Sequence, residues 1–421
     1  MIKWYILYNN GEPHGIAHSP QTGRMTSMEY PFSNRIADMK PSAIREILKN
    51  SSNPAIIPFA AGNPAPEAFP VEQIRRISDT ILAGNPLAAL QYSVTDGVPA
   101  LKIRVRAMLE EDGLVQFSDD LLITSGAQQA IELACKVLCN EGDTVIAEEP
   151  SFIGSLNSFR SFRAHLVGVP MEEDGMEIAK LEQALKENPN TKLIYIIPNF
   201  QNPSGRTTSF EKRQAVYELA KRYGVCILED NPYGKLRFAG EDIPSIKSFD
   251  TDGIVIYCGT FSKILSPGLR VGYALAPAPI ISKMIVAKQC GDVHTTALSQ
   301  MICERFLVET DMHAHYDMLR AIYRRKSGLM LKGMEAWPET VRFTRPEGGL
   351  FIWCTLPEGA DMLAFVKKAL AKGVAVVPGI AFNTDESAPS QSFRCNFSTP
   401  SDEAIVRGTD ILGILLQEEF R

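Results

Sequence analysis

From residue 120 onward, short apolar runs alternate with helical patterns, and this alternation constrains the chain more than anything else in its sequence. The runs are DLLITSG (120–126), TVIAEEP (144–150), KLIYIIPNF (192–200), VCILED (225–230), GIVIYCGT (253–260) and VGYALAP (271–277). Between them lie AQQAIELACKVLC (127–139), SFIGSLNSFRSF (151–162) and SFEKRQAVYELAKRYG (209–224), the last with an apolar face and a terminal Gly224. Strands that alternate with helices predict an α/β fold with a mostly parallel central sheet sandwiched by helices. Near-continuous apolar strands fit such a sheet, because both of their faces are covered.

The flanks read differently. Residues 71–84 and 97–112 have helical patterns, and long helices are expected over roughly 280–334. A smaller α+β unit follows, with strands LFIWCTL (350–356), VAVVPG (374–379) and SFRCNFS (392–398), the helix DMLAFVKKALAKG (361–373) and a terminal helix. With 421 residues the chain exceeds one ordinary core. The expected division is an N-terminal extension (1–28), an arm that joins the small domain (29–70), a large cofactor-binding domain (71–310) and a C-terminal small domain (311–421). The apolar start of the extension is short, contains Lys3 and lacks a cleavage site, so it does not read as a signal peptide, and a folded protein beginning near Met25 or Met28 is expected. SAIREILKN, capped by Ser42, reads as a short helix.

Composition narrows the function. A net charge of −6 with no basic block argues against nucleic acid as main partner, and no apolar run reaches membrane-spanning length. The eight cysteines form no C-x-x-C pair and the six histidines no metal spacing. Reduced thiols, a cytoplasmic location and no metal are expected.

Ligands of parallel α/β sheets bind outside the carboxyl ends of the strands. Collected there are Ser125-Gly126-Ala127-Gln128 at a helix N-terminus, Asn199 and Asn202 in NFQNPSG, Glu229, Asp230 and Tyr233, and the segment GTFSKILSPGLRVGY (259–273) with Thr260, Ser262, Lys263 and Arg270. Each alone is an ordinary cap, turn or solvated charge. Together they make an inventory for pyridoxal 5′-phosphate (PLP). Helix N–H groups, two hydroxyls and an arginine suit a phosphate. Lys263 suits an aldehyde, and Asp230 suits a protonated pyridine nitrogen. Asn202 and Tyr233 suit the ring oxygen. In the strand SFRCNFS, Arg394 and Asn396 share one face, a natural carboxylate clamp, although a surface arginine on an edge strand fits as well.

Nine motifs in order, QYSVTDGVPALK, TSGAQQAIEL, EEPSFIGS, PNFQNPSG, EDNPYG, GTFSKILSPGLRVGY, EGGLFIW, VAVVPGIAF and FRCNFS, resemble those of fold-type I PLP-dependent aminotransferases of class I/II, in particular the 2-aminoadipate/kynurenine subgroup. The resemblance implies that Lys263 carries the cofactor, with Asp230 and Tyr233 also catalytic. Gly126, Ala127, Gln128, Thr260, Ser262 and Arg270 are implied to hold phosphate, with Phe152 stacked on the ring and Asn202 and Tyr233 at its oxygen. Tyr92 is implied to reach the phosphate of a neighbouring subunit in a homodimer with shared sites. Arg394 and Asn202 are implied to bind the substrate carboxylate, with Arg35, Gly62 and Phe351 around its side chain. The Glu149–Pro150 and Asn202–Pro203 bonds are implied to be cis.

The chain also departs from the family pattern. Phe152 stands where tyrosine is frequent, Ala127 where a hydroxyl residue is common, and Asn63 where leucine is. The implied reaction moves the amino group of an L-amino acid (aromatic, branched-chain or 2-aminoadipate-like) to an oxo acid such as 2-oxoglutarate. The rivals are another PLP reaction, such as C–S lysis or decarboxylation, and a transcription regulator lacking its DNA-binding domain.

Overall fold

A computed structural model describes residues 30–37, 39, 53 and 55–420. The expected helix at 42–50 and the extension lie outside the described residues. In chain order the helices are α1 (Asn34–Ala37), α2 (Val71–Gly84), α3 (Pro86–Leu90), α4 (Pro99–Glu111), α5 (Ala127–Leu138), α6 (Ile153–Ser161), α7 (Ile178–Glu187), α8 (Phe210–Tyr223), α9 (Ala278–Gly291), α10 (Ala297–Glu309), α11 (Met312–Met334), α12 (Met362–Ala371) and α13 (Asp402–Phe420). The strands are β1 (Asp119–Thr124), β2 (Thr144–Glu149), β3 (His165–Glu172), β4 (Gly175–Met176), β5 (Thr191–Ile196), β6 (Cys226–Asp230), β7 (Val255–Thr260), β8 (Gly272–Pro277), β9 (Arg342–Phe343), β10 (Phe351–Thr355), β11 (Val377–Pro378) and β12 (Ser392–Asn396).

The large sheet has the order β1-β8-β7-β6-β5-β2-β3-β4. Strands β3, β2, β5, β6 and β7 run parallel, whereas β8 lies antiparallel between β7 and β1. Side chains on a strand alternate between faces, and the core divides accordingly. Val145, Leu193, Tyr195, Leu228 and Ile256 join the core on one face; Ile146, Ile194, Ile196, Ile227 and Val255 join the core under α7 and α8 on the other. Each fully buried Ile, Leu or Val contributes about 1.5–3 kcal/mol, so this two-sided burial locks the register. The helix read at 209–224 begins at its cap Ser209, whose Oγ accepts from Lys212 N–H, and ends at Gly224 in the left-handed region (φ 66°).

The smaller sheet, β11-β12-β10-β9, is antiparallel throughout. A bridge from Ile57 to Val374, and a bond from Asn396 N–H to Phe59 O (2.8 Å), tie the segment before α2 to this sheet. VAVVPG is less of a strand than expected. Only Val377 and Pro378 pair with β12, because Pro378 has no N–H to continue a ladder and a 3-10 turn, Gly379–Phe382, follows. The sequence reading also missed β3, β4 and α7. The partly exposed β3 contains Pro170 and lacks the apolar run of an inner strand.

At the sheet's other end, Lys247 clips β1 to β7. Its fully buried ammonium donates to Asp119 Oδ1 and Asp250 Oδ2 (both 2.9 Å) and to Val255 O (3.1 Å). Lys247→Met strands two buried carboxylates, and should cost about 3–5 kcal/mol by analogy with other broken buried pairs. Chemical denaturation of the cofactor-free protein reads this directly; a loss below about 1 kcal/mol would show that the clip contributes little.

Candidate active site

The carboxyl ends of β1, β5, β6 and β7 open into a cavity of about 600 Å³ that the small sheet closes from the other side. Its lining includes Gly62, Ala127, Gln128, Phe152, Asn202, Asp230, Tyr233, Thr260, Ser262, Lys263, Arg270, Phe351 and Arg394. With Asn63, which also lines it, fourteen of the residues singled out from sequence meet at one place. Gly126, Tyr92 and Arg35 do not line it. Tyr92 is 82% exposed and packs edge-on to His294 (6.0 Å), and Arg35 is exposed on α1. Asn199 turns away from it, its Oδ1 accepting from Arg213 Nη2 (2.7 Å) and its Nδ2 donating to Asn231 Oδ1 (3.0 Å).

Strand alternation separates the adjacent acids of β6. Glu229 accepts from Ser245 Oγ (2.7 Å) and from Ile246 and Lys247 N–H (3.1 and 2.9 Å), so it holds a turn. Asp230 faces the cavity. Its Oδ2 accepts from Tyr195 Oη (2.8 Å), while Oδ1 is buried without a partner. Burial raises its pKa to about 7, against the lowering effect of Tyr195.

The phosphate-type corner is built by backbone. Gly126 has a φ of 83° at the start of α5, and a Cβ there would lie 2.3 Å from Arg270 Nη2. At Gly272 a Cβ would lie 2.6 Å from Ala127 N, so glycine lets β8 run against the turn. Arg270, itself left-handed (φ 55°), donates through Nη2 to Ser125 O (2.8 Å). Ser125 Oγ donates to Asp292 Oδ2 (2.8 Å), and Asp292 is paired with the buried Lys288 (2.7 Å). Thr260 Oγ1 and Ser262 Oγ stand 2.9 Å apart, and Ser262 N–H donates to Thr260 Oγ1 (3.1 Å). Phe152 caps α6, and its ring lies so close to Gly154 that a Cβ there would clash at 2.6 Å. The Glu149–Pro150 and Asn202–Pro203 bonds are both cis.

Two cations face this corner from other elements. Lys263 Nζ donates to Gly62 O (2.8 Å), and its pKa falls to about 8, first through burial and then through Arg394 and Arg270. Arg394 is buried in β12. It donates from Nη1 to Asn202 Oδ1 (2.8 Å) and from Nη2 to Ala60 O and Ala61 O (3.0 and 3.1 Å). Phe351 and Phe382 cover its guanidinium at 4.2 and 5.1 Å. Its Nε has no partner, and no carboxylate among the described residues forms an ion pair with it. Burial lowers its pKa to about 10. A buried guanidinium without a counter-ion is costly, and Arg394 could therefore hold a ligand carboxylate. Tyr233, edge-on to Phe351 (5.8 Å), is kept protonated by burial and by the charge of Asp230.

A carboxylate on Asp230, the N-terminal turn of α5 with Arg270, an amine on Lys263 and a guanidinium on Arg394 thus face one cavity, a set of groups that fits PLP and an amino acid. The model of the family "aminotransferase class I and II" matches residues 54–411. The chain belongs to this family. It is a PLP-dependent aminotransferase. The aminotransferase is 39% identical to aromatic-amino-acid aminotransferase 1 of Thermococcus litoralis, over 93% of this chain and 95% of the relative. It is 37% identical to 2-aminoadipate transaminase of Thermus thermophilus, over 92% of this chain and 96% of the relative. Kynurenine aminotransferase of Pyrococcus horikoshii, in complex with PMP, superposes with a TM-score of 0.89 at 37% identity, covering 93% of this chain and 98% of the other.

Sequence reasoning missed Phe382, Ile131, Ile153 and Ile197, which also line the cavity. Phe382 sits in VAVVPGIAF, but nothing in that string says that its ring covers an arginine on the next strand. The lowered pKa of Lys263 gives a direct test. Near pH 8, an amine-selective reagent small enough for the cavity should modify Lys263 of the cofactor-free aminotransferase ahead of its exposed lysines. Peptide mapping reads the order, and equal rates at all lysines would contradict the electrostatic picture.

Proposed function

We propose that the enzyme transfers the amino group of an L-amino acid, with an aromatic or aliphatic side chain preferred, to 2-oxoglutarate or a similar oxo acid. The observation that carries the reading is Arg394: a buried, unpaired guanidinium facing an amine and a carboxylate across one cavity. The apolar groups Ala60, Ala61, Ile153, Phe351 and Phe382 support the side-chain preference, because the three lining cations already have roles. The aromatic-amino-acid and kynurenine names of two relatives point the same way, whereas 2-aminoadipate, named for a third, is acidic. A 2-aminoadipate-like donor, or 2-oxoglutarate itself, needs one more cation for its distal carboxylate, a role we give to Arg35.

In this reading, PLP when bound supplies the aldehyde that condenses with amines and the ring that accepts electrons from the α-carbon. Gly126, Ala127 and Gln128 on α5, Thr260, Ser262 and Arg270 would hold its phosphate. Phe152 would stack on its ring, and Asn202 and Tyr233 would contact its ring oxygen. Arg394, positioned by Asn202 and the carbonyls of residues 60 and 61, binds the substrate α-carboxylate and so fixes the Cα–H bond toward Lys263. Lys263 Nζ titrates about 8, near working pH, and therefore suits taking and returning a proton at Cα. Asp230 keeps a negative charge beside the ring nitrogen. Aromatic side chains around Arg394 exclude water and strengthen each of these contacts. Tyr92 is proposed to act on the site of a second copy. It shares a strongly exposed apolar surface with Leu87, Leu90 and Val94, and a homodimer would bury it.

With no acceptor present, a productive L-amino acid should convert the cofactor's visible absorption to that of its amine form in one stoichiometric step. Oxo acid should then accumulate only when an acceptor is added, giving ping-pong kinetics. Acceptor-independent product would instead assign lyase or decarboxylase chemistry. Arg394→Ala should raise KM for the amino acid about thirty-fold or more, since truncating one partner of a buried charge pair costs roughly 2–5 kcal/mol. An unchanged KM would remove the clamp from the account.

A further inference from the structure

Tyr195 stands in an otherwise aliphatic stretch of β5, fully buried, and it is outside the cavity lining. A buried tyrosine hydroxyl needs partners, and here both are specific. Tyr195 Oη donates to Asp230 Oδ2 (2.8 Å) and accepts from Ser155 Oγ (2.8 Å). Its ring is held edge-on by Phe159 at 5.4 Å. Ser155 and Phe159 lie on α6, the helix capped by Phe152, which lines the cavity. One helix thus holds the tyrosine at both ends.

We propose that Tyr195, backed by Ser155, is a positioning residue that keeps the proton of the bound cofactor's ring nitrogen on the ring rather than on Asp230. The proposal rests on the reading above, in which Asp230 faces that nitrogen. Tyr195 provides the sole hydrogen bond to the Asp230 side chain among the described residues, and Oδ1 is left for the ligand. Bonding to a carboxylate favours its charged form. The hydroxyl remains a donor at working pH, because burial and the charge of Asp230 push its pKa well above the usual tyrosine value. The polarised chain Ser155–Tyr195–Asp230 reinforces the effect. A second buried carboxyl, Glu148 on the strand beside β5, accepts on Oε2 from Ile197 N–H (3.0 Å) and Gln201 Nε2 (3.2 Å), and it does not line the cavity. Without the Tyr195 hydroxyl, Asp230 becomes the stronger base. The proton then passes from the ring nitrogen to Asp230 Oδ1, and no other bond changes.

The test is the nitrogen NMR shift of holoenzyme loaded with PLP labelled with ¹⁵N in its ring, together with the cofactor Kd, for wild type, Tyr195→Phe, Ser155→Ala and Asp230→Asn. We expect Tyr195→Phe to move the shift toward that of unprotonated pyridine and to weaken cofactor binding about ten-fold, the equivalent of one hydrogen bond to a charged group. Ser155→Ala should shift it in the same direction by less, and it decides the matter if Tyr195→Phe does not fold. A wild-type shift in both variants overturns the role of Tyr195. An unprotonated nitrogen in the wild type, or no change in Asp230→Asn, overturns the underlying placement of Asp230 instead.

Discussion

The site depends on one carboxylate that is buried at the end of a central strand and only half satisfied. Asp230 is held on one oxygen by Tyr195 and has no partner on the other among the described residues. Left alone, such a group takes up a proton, and its raised pKa expresses that tendency. A cationic ligand edge reverses it. In the proposed reading, the cost of burying Asp230 is offset when a cationic ring edge stands against it.

The other charges follow from that constraint. Lys263, Arg270 and Arg394 outnumber Asp230, so the cavity carries an excess of positive charge. Burial first, and then repulsion from Arg394 and Arg270, lowers the pKa of Lys263. In the proposed reading, a phosphate and a substrate carboxylate would neutralise the excess. The aromatic rings around Arg394 and the backbone carbonyls under it hold the guanidinium in place before any substrate arrives, so little ordering remains for binding to supply.

The parallel strands, the helix from Ser209 to Gly224 and the contents of the strand ends were legible because their signals are local. Apolar runs report two-sided burial, and Ser and Gly mark helix ends. Strand β3 was not legible, because it is partly exposed and interrupted by proline. The support of the site was also hidden. Tyr195 looks like any core aromatic in KLIYI, and Phe382 like any apolar residue after a turn; their roles depend on Asp230 and Arg394, which lie 35 and 12 residues away in the chain.

The sequence by itself determined the class of fold, the edge at which chemistry gathers and the family, because strand periodicity and the order of motifs are properties of one dimension. Tertiary structure alone decided which of two adjacent acids serves the site, since the alternation of β6 sends Glu229 to a turn and Asp230 to the cavity. It also decided that Arg394 is buried against the cavity and is not a surface charge, and that Tyr92 and Arg35 stand outside the cavity of their own chain. Burial and partnership are relations between distant segments, and they set the pKa values on which the reaction depends.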